Sequence, residues 1–504
     1  MMRVAVVGSG AAAVGALHAL CSWCPDAEIT VFDIGKELDT GPGTTKHPVE
    51  WTPEGYGRLY RQTKANQGAR FPPPKTQFGQ SLPRYLVDGR QRVFRSELLG
   101  GLTNYWGGGV LPFTEQDLLK WPVGIDTLRP YYKEIANLVG VSGRRDALNQ
   151  YFMDDFSNRP PLQPIPTLAK LNEWVNSRKA RGNYDVLAGV TRLTLETREG
   201  HGECCVYCGE CMSGCFVGAI YTAKSTVSAL IRGGRIKNYL KGKVVSVDPD
   251  NRSIALRSDQ GDVTHRGFSK VFLCAGCVGT TEIVMRSLGI KDGLTMTDNA
   301  VYTFPIVYLG EIGADTRAHA YLALSNVTLG CVPRKAGLRF AQVNLYPNCD
   351  YLWRYYLPVR VWPYIQPIAS TLRSRLFWAR LYVHSVESQA YSLALDASGE
   401  LVFSVAHDVG ARAKVTEILR SIRSVVSGAG FYMPWIPPVR QETSAHYAAS
   451  LPYGGEEVDV SPNGEVMRGV YICDSACFPD SPATPPTFTI MANACRTVME
   501  AMND

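Results

Sequence analysis

Five cysteines, Cys204, Cys205, Cys208, Cys211 and Cys215, fall within twelve residues of a chain that carries 14 in all. The run Cys205-x2-Cys208-x2-Cys211-x3-Cys215 has ferredoxin spacing, with Phe216 where such loops often carry proline. Cysteines this close can converge on one iron–sulfur cluster because a short loop folds around it. Zinc is the main alternative, although zinc sites usually take two separated ligand pairs. Structural thiols are a third reading, and Cys204 can substitute for a neighbour.

A second chemical signature opens the chain. Val4 to Val7 is a short apolar run suited to a central parallel strand. Gly8-Ser9-Gly10-Ala11-Ala12-Ala13 follows, then a helix-like stretch from Val14 to Leu20. In this GxGxxA setting Gly8 permits the tight turn, Gly10 lets the backbone approach a pyrophosphate, and Ala13 allows close helix–strand packing. The helix N-terminus then offers free N–H groups and the positive end of its dipole to phosphates. A second strand, Glu28 to Phe32, ends at Asp33, 23 residues after Gly10. That is near the ~20 expected of the acid that binds ribose hydroxyls, which favours FAD or NAD over NADP. A glycine-rich turn in another α/β protein is the bland alternative. There is no second fingerprint, which argues against a separate nicotinamide domain.

These groups need a large frame. At 504 residues, the chain has room for roughly two to four domains. Hydrophobic residues make up 45% and charged residues 19%, below the usual ~25%, so disorder is excluded. The net charge of +6 is too small to suggest nucleic acid as a partner. No apolar run reaches the ~18 residues of a membrane span. The cysteines form one dense group on an otherwise scattered set, unlike a secreted disulfide framework. Met1-Met2-Arg3 runs straight into the first strand without a signal-peptide pattern, so a cytoplasmic location is expected.

Turn signals such as Gly41-Pro42-Gly43 and Pro72-Pro73-Pro74 make 41–95 read as long ordered loops or a lid. The glycine run Gly100 to Gly109 brings backbone close to a ligand or another segment. A helix is expected over 222–234. A strand meander is expected over 243–272, with strands at 244–247, 253–256 and 271–273. A helix from Thr281 to Ser287 follows Cys274-Ala275-Gly276. Alternating Val, Tyr and Leu between about 300 and 450 predict an antiparallel sheet in a second domain. The chain closes on an apolar strand, Val470 to Cys473, a proline-rich loop, Phe478 to Pro486, and a helix, Thr489 to Ala494. Residues 351–386 hold five arginines and seven Trp, Tyr or Phe residues from Trp353 to Trp378, but no Asp, Glu or Lys. Ile368 to Leu381 can form a helix there. Such a segment suits an anionic membrane surface, an acceptor protein, a charged or lipid-linked substrate, or a buried domain surface.

Five blocks together resemble the glucose-methanol-choline oxidoreductases, a FAD-dependent family. They are the N-terminal fingerprint, Gly100–Gly109 with the downstream Trp121-Pro122 and Pro130-Tyr131-Tyr132, Phe272–Thr281, the segment at His446, and Asp474–Ala492. They occur in the family's order across both ends of the chain. The resemblance implies an α/β fold. A Rossmann-like, discontinuous FAD-binding domain would span 1–300 and 451–504, with a cysteine loop at 204–220. A substrate domain with an antiparallel sheet would span 301–450, as in the p-hydroxybenzoate hydroxylase-like two-domain architecture.

The family's catalytic histidine pattern, H-x-x-G-T-x-x-M-G, aligns with His446 to Gly454, with Ala449, Ser450 and Tyr453 as departures. By resemblance His446 takes the alcohol proton as hydride leaves carbon for the flavin. A neutral imidazole can accept a proton near physiological pH. The family's second His or Asn falls on Pro485, which has neither a side-chain donor nor an N–H. A second hydrogen bond to the substrate oxygen must then come from Thr484 or Thr487, or be absent. The resemblance also implies that Gly101, Asn104, Trp106, Gly107, Ala275, Gly276, Asp474, Ser475 and Thr487 join Gly8, Gly10, Ala13 and Asp33 in binding FAD. Sugar dehydrogenases related to this family bind a three-iron cluster through C-x5-C-x3-C, which selects Cys205, Cys211 and Cys215. Cys208 is then the fourth ligand of a four-iron cluster, or spare. The expected protein is thus a dehydrogenase for a CH–OH group, a sugar or other alcohol, that passes electrons to an external acceptor, a protein or quinone. A flavin and iron–sulfur electron-transfer subunit is the alternative. Another is an oxidoreductase in peripheral membrane contact through 351–381, acting on a lipid-linked substrate.

Overall fold

The computed structural model describes residues 2–37, 84–87, 90–207, 209, 211, 215, 217–311, 323–348, 361–372, 375–408, 411–441 and 443–503. The expected lid region therefore lies largely outside the described residues. Its described part is a hairpin, Arg84–Val87 with Arg90–Phe94.

The apolar run at the N-terminus forms the strand Arg3–Val7, with Val4, Ala5 and Val6 fully buried. Burial on both faces suits a central parallel strand. It pairs in parallel with Lys270–Leu273 on one side and Glu28–Asp33 on the other. Val470–Ile472 and Ile236–Lys241 extend the parallel set, and Glu465–Met467 closes one edge in antiparallel. The helices Ala11–Trp23 and Thr487–Asn503 pack on each other beside this sheet.

The expected meander is present with a different third strand. Lys243–Asp248 and Ser253–Ser258 pair with Gly261–Arg266. The run Val271–Leu273 instead enters the parallel sheet. Its side chains are apolar throughout and buried, whereas Gly261–Arg266 is almost wholly exposed. A continuous apolar run fits a strand covered on both faces, and a polar one fits a solvated edge.

The second sheet is antiparallel. Its order is Phe431–Tyr432, Ala300–Tyr308, Leu376–Val383, Ala341–Pro347, Val327–Pro333 and Tyr184–Val190, with Val439–Arg440 also pairing Ala300–Tyr308. The helix expected over 368–381 resolves into two elements. The helix is Trp362–Leu372, and Leu376–Val383 is a strand. Phe377, Ala379 and Leu381 are fully buried with Trp378, Arg380 and Tyr382 between them. That period of two marks a strand, not a helix. The helices Pro166–Asn176 and Arg412–Val426 cover the same core as these strands. A smaller sheet joins Leu294–Thr297, Gln389–Leu395 and Leu401–Asp408.

Candidate active site

A cavity of about 1270 Å³ is walled by the ends of the parallel strands and by one face of the antiparallel sheet. At the strand ends stand Gly8, Gly10 and Asp33. Gly8 has φ +109°, and a Cβ there would lie 2.3 Å from the Cys274 carbonyl oxygen, so the turn tolerates only glycine. Across from Gly10 lies Gly101, where a Cβ would reach 3.1 Å from the Gly10 Cα. The two backbones thus approach without side chains between them. Ala13 is buried within the helix and does not line the cavity.

The Asp33 carboxylate accepts hydrogen bonds from Ser9 Oγ at 2.5 Å and from the Tyr239 hydroxyl at 2.9 Å. Burial pushes its pKa up to about 6, against the pull of these donors. Asp474, also on the cavity wall, is raised to about 6 by burial although Thr280 Oγ1 and the Ala476 N–H bond to it. Ser475 lines the cavity and donates to the Tyr447 carbonyl at 2.6 Å. Ala275, Gly276 and Thr487 line it as well. The helices Ala11–Trp23 and Gly276–Leu288 both begin there without a side-chain cap, and Thr487–Asn503 begins there too. Three positive helix ends facing one cavity make it suited to an anionic cofactor.

Most of the Gly100–Gly109 block lines the cavity, Gly101, Trp106 and Gly107 among it. Trp106 is fixed by a 2.8 Å bond from its indole N–H to the Tyr221 carbonyl. Asn104 does not line the cavity. Its amide closes the turn by donating to the carbonyls of Leu99 and Gly101 at 3.0 and 2.9 Å.

His446 projects into the same cavity. Its backbone N–H donates to Asp298 Oδ1 at 3.0 Å, and the buried Asp298 carboxylate also takes bonds from Thr443 and Ser444. Ala445 and Ala449 have φ of +61° and +63°; the Asp298 network surrounds the first left-handed turn, and an N–H bond from Ala449 to the Ser475 carbonyl at 3.1 Å fixes the second. His446 Nδ1 lies 3.1 Å from Asn299 Oδ1. The Asn299 amide nitrogen sits among the carbonyls of Val383, Ser481 and Pro482 at 2.9 to 3.0 Å. Only one orientation of the amide satisfies these acceptors, so its oxygen faces the imidazole and accepts. The network thereby assigns the proton of neutral His446 to Nδ1. Nε2 is left as the acceptor, and no partner among the described residues bonds it. The Tyr382 ring stacks on the imidazole at 5.5 Å between centroids. Burial and then the positive charge of Arg380 lower the His446 pKa to about 4, so the ring is neutral at pH 7.

Asp298 and Asn299 were not legible in the sequence. A polar pair between two apolar runs reads as a turn, and only its burial betrays a task. Pro485 and Thr487 line the cavity. Thr484 is fully buried away from it, and its hydroxyl has no partner among the described residues.

Cys204, Cys205, Cys211 and Cys215 are part-buried thiols, and Cys211 lines the cavity. Cys208 lies outside the described residues. Among the described residues, no three His, Cys, Asp or Glu side chains gather closely enough to hold a metal ion. The described thiols therefore do not by themselves fit a cluster.

No family profile matches the chain, and no curated protein matches its sequence. Solved structures share the fold. Pyridoxine 4-oxidase from Mesorbium loti superposes with a TM-score of 0.64 at 14% identity, covering 100% of both chains. An FAD-dependent oxidoreductase from Chaetomium thermophilum gives 0.61 at 12% identity, again over 100% of both. Formate oxidase gives 0.63 at 12% identity over 99% of this chain and 98% of its own. The mixed fold, one parallel sheet with antiparallel sheets beside it, is the one these three structures share.

Proposed function

We propose that this chain is an FAD-dependent oxidoreductase of the glucose-methanol-choline type acting on a CH–OH donor. One observation carries the reading. A neutral imidazole, with its Nε2 lone pair open, stands in the wall of the cavity that Gly8, Gly10 and Asp33 begin. The shared fold of flavoenzymes supports the same conclusion.

The cavity fits FAD. The uncapped starts of the helices at Ala11 and Gly276 and the bare backbones of Gly8, Gly10, Gly101 and Gly107 would hold its pyrophosphate and ribityl chain. Asp33 would take ribose hydroxyls. Trp106, Ala275, Asp474, Ser475 and the helix start at Thr487 would enclose the ring system. Ala13 would act through packing and Asn104 through the turn it closes. FAD, when bound, supplies a two-electron acceptor for the hydrogen of a carbinol carbon.

The chain's own part is proton management. His446 Nε2 accepts the hydroxyl proton, and the resulting imidazolium keeps its Nδ1–H on Asn299. The neighbouring Arg380 disfavours that cation, so the proton must pass on quickly. Pro485 supplies no second donor to the substrate oxygen, which leaves Thr487 as the hydroxyl at hand on that wall. Anaerobic flavin bleaching by alcohols tests the reading. Replacing His446 with Ala is expected to slow it by about 10²- to 10⁴-fold. Unchanged bleaching in that variant sinks the role of His446.

The electron exit has two readings. Cys211 shares the cavity wall, which favours a role for the Cys205, Cys208, Cys211 and Cys215 loop in carrying electrons to an outside acceptor. Pyridoxine 4-oxidase and formate oxidase point instead to dioxygen. Stoichiometric iron and sulfide with an EPR signal in anaerobically purified protein would support the first. Iron-free protein that yields peroxide on turnover would remove it. Peripheral membrane contact is a further part of the proposal, carried by the helix Trp362–Leu372 and not by Leu376–Leu381, which the sheet encloses. The described helix Trp362–Leu372 leaves Tyr364 80% and Ile368 56% exposed. Sedimentation with anionic vesicles checks it, and no binding would remove it.

A further inference from the structure

The cavity contains a positive charge that the proposed reaction does not use. On the strand Leu376–Val383, Arg380 and Tyr382 face away from the packed core and line the cavity. Same-face positions of a strand are about 6.8 Å apart. Tyr382 stacks on His446, and the Arg380 guanidinium lies 5.7 Å from the Tyr382 ring centre. Arg380 therefore stands one side-chain step from the proposed base.

On the neighbouring strand, Asn344 is in register with Arg380, and Asn344 and Tyr346 also line the cavity. The Tyr346 phenol sits beside Arg380, within reach of its charge, and also neighbours Asn344 and Tyr382. No carboxylate among the described residues pairs with Arg380. The acids on the cavity wall are otherwise engaged. Asp33 is bound by Ser9 and Tyr239, Asp474 by Thr280, and Glu282 by Arg95, Lys243 and Arg286. A guanidinium withdrawn from bulk water without a counter-ion is unfavourable until an anion reaches it. Its planar fork suits a carboxylate, and the adjacent phenols add hydroxyl donors.

We propose that Arg380, with Tyr346 and Tyr382, is the specificity site for a carboxylate on the substrate, which makes the substrate a hydroxy acid. This rests on the assignment of His446 and the flavin site made above. Because Arg380 and His446 both adjoin the Tyr382 ring, the substrate is a small molecule that carries its acid group at one end and its carbinol carbon at the other. Binding of the acid also places a negative charge beside Arg380 and so lightens the burden on protonated His446.

The test uses the FAD-loaded protein and two matched probes, benzyl alcohol and 4-(hydroxymethyl)benzoate, with benzoate as a non-reacting ligand. Calorimetry should detect benzoate binding that weakens at least about tenfold in Arg380→Met. The ratio of kcat/KM for the acid over the neutral alcohol should fall by a similar factor. Arg380→Lys and Tyr346→Phe serve if Arg380→Met does not fold, and each should lower the same ratio by less. Reduction of the flavin by both alcohols with no preference, and benzoate affinity equal in all variants, would overturn the proposal. If benzoate binding depends on Arg380 but no alcohol reduces the flavin, the carboxylate site stands and the dehydrogenase reading fails.

Discussion

His446 keeps its acceptor nitrogen toward the cavity only while Asn299 holds Nδ1. Removing that contact in Asn299→Ala frees the ring to turn, and flavin reduction should slow by up to about 100-fold. A stopped-flow series against pH separates orientation from charge. With the His446 pKa near 4, protonation of this base should not limit the wild-type rate above about pH 5. In Asn299→Asp a carboxylate beside the ring favours its charged form, so the acid limb should move to higher pH. An unmoved limb would refute the Nδ1 contact. The raised carboxylates Asp33 and Asp474 set the sign of another pH effect. In the folded apoprotein they hold protons up to about pH 6, while an unfolded Asp releases them near 4. Their contribution to stability is fully present below pH 4 and lost as the pH rises through 6. In Asp33→Asn, apoprotein melting points from pH 4 to 8 should fall less steeply, while FAD binds more weakly. A steeper fall would count against the buried state of Asp33.

At the scale of elements, two backbones decide the site. The turn at Gly8 has no room for a methyl group against Cys274, and its φ lies where L residues are strained. Gly8→Ala should destabilise the protein by at least about 1–3 kcal/mol and abolish FAD retention, measured by urea melts and bound-flavin absorbance. The strand Leu376–Val383 carries Arg380 and Tyr382 on one face because Phe377, Ala379 and Leu381 anchor the other. Leu381→Ala should cost about 2–5 kcal/mol and loosen the wall opposite His446. A denaturation midpoint unchanged from wild type would contradict that packing. This strand shows where local reading fails. Its apolar residues permit both a helix and a strand over a short run, and pairing with Ala300–Tyr308 and Ala341–Pro347 selects the strand. The helix at Ala11 was legible because strand, turn and helix lie within a few residues of one another.

At the scale of the molecule, the cavity joins two sheets, and a cofactor that fills it should stabilise the whole. FAD at 100 times its dissociation constant would add about 2.7 kcal/mol, visible as a higher melting temperature than that of the apoprotein. No shift on adding FAD would mean the cavity does not take it. The sequence by itself determined the dinucleotide fingerprint, the order of the blocks and the position of His446 in its pattern. These are local features, set by turn chemistry and apolar periodicity over short spans. Tertiary structure alone decided which residues aim and charge that histidine. Asn299 reaches it across 147 positions of chain, and Ser481 reaches Asn299 across 182. Tyr184–Val190 likewise joins a sheet whose next strand, Val327–Pro333, lies far along the chain. Hydrogen bonds and strand pairs between such distant residues form only when the chain folds back. No spacing in the sequence encodes them, whereas burial in the folded chain leaves each polar group one set of partners.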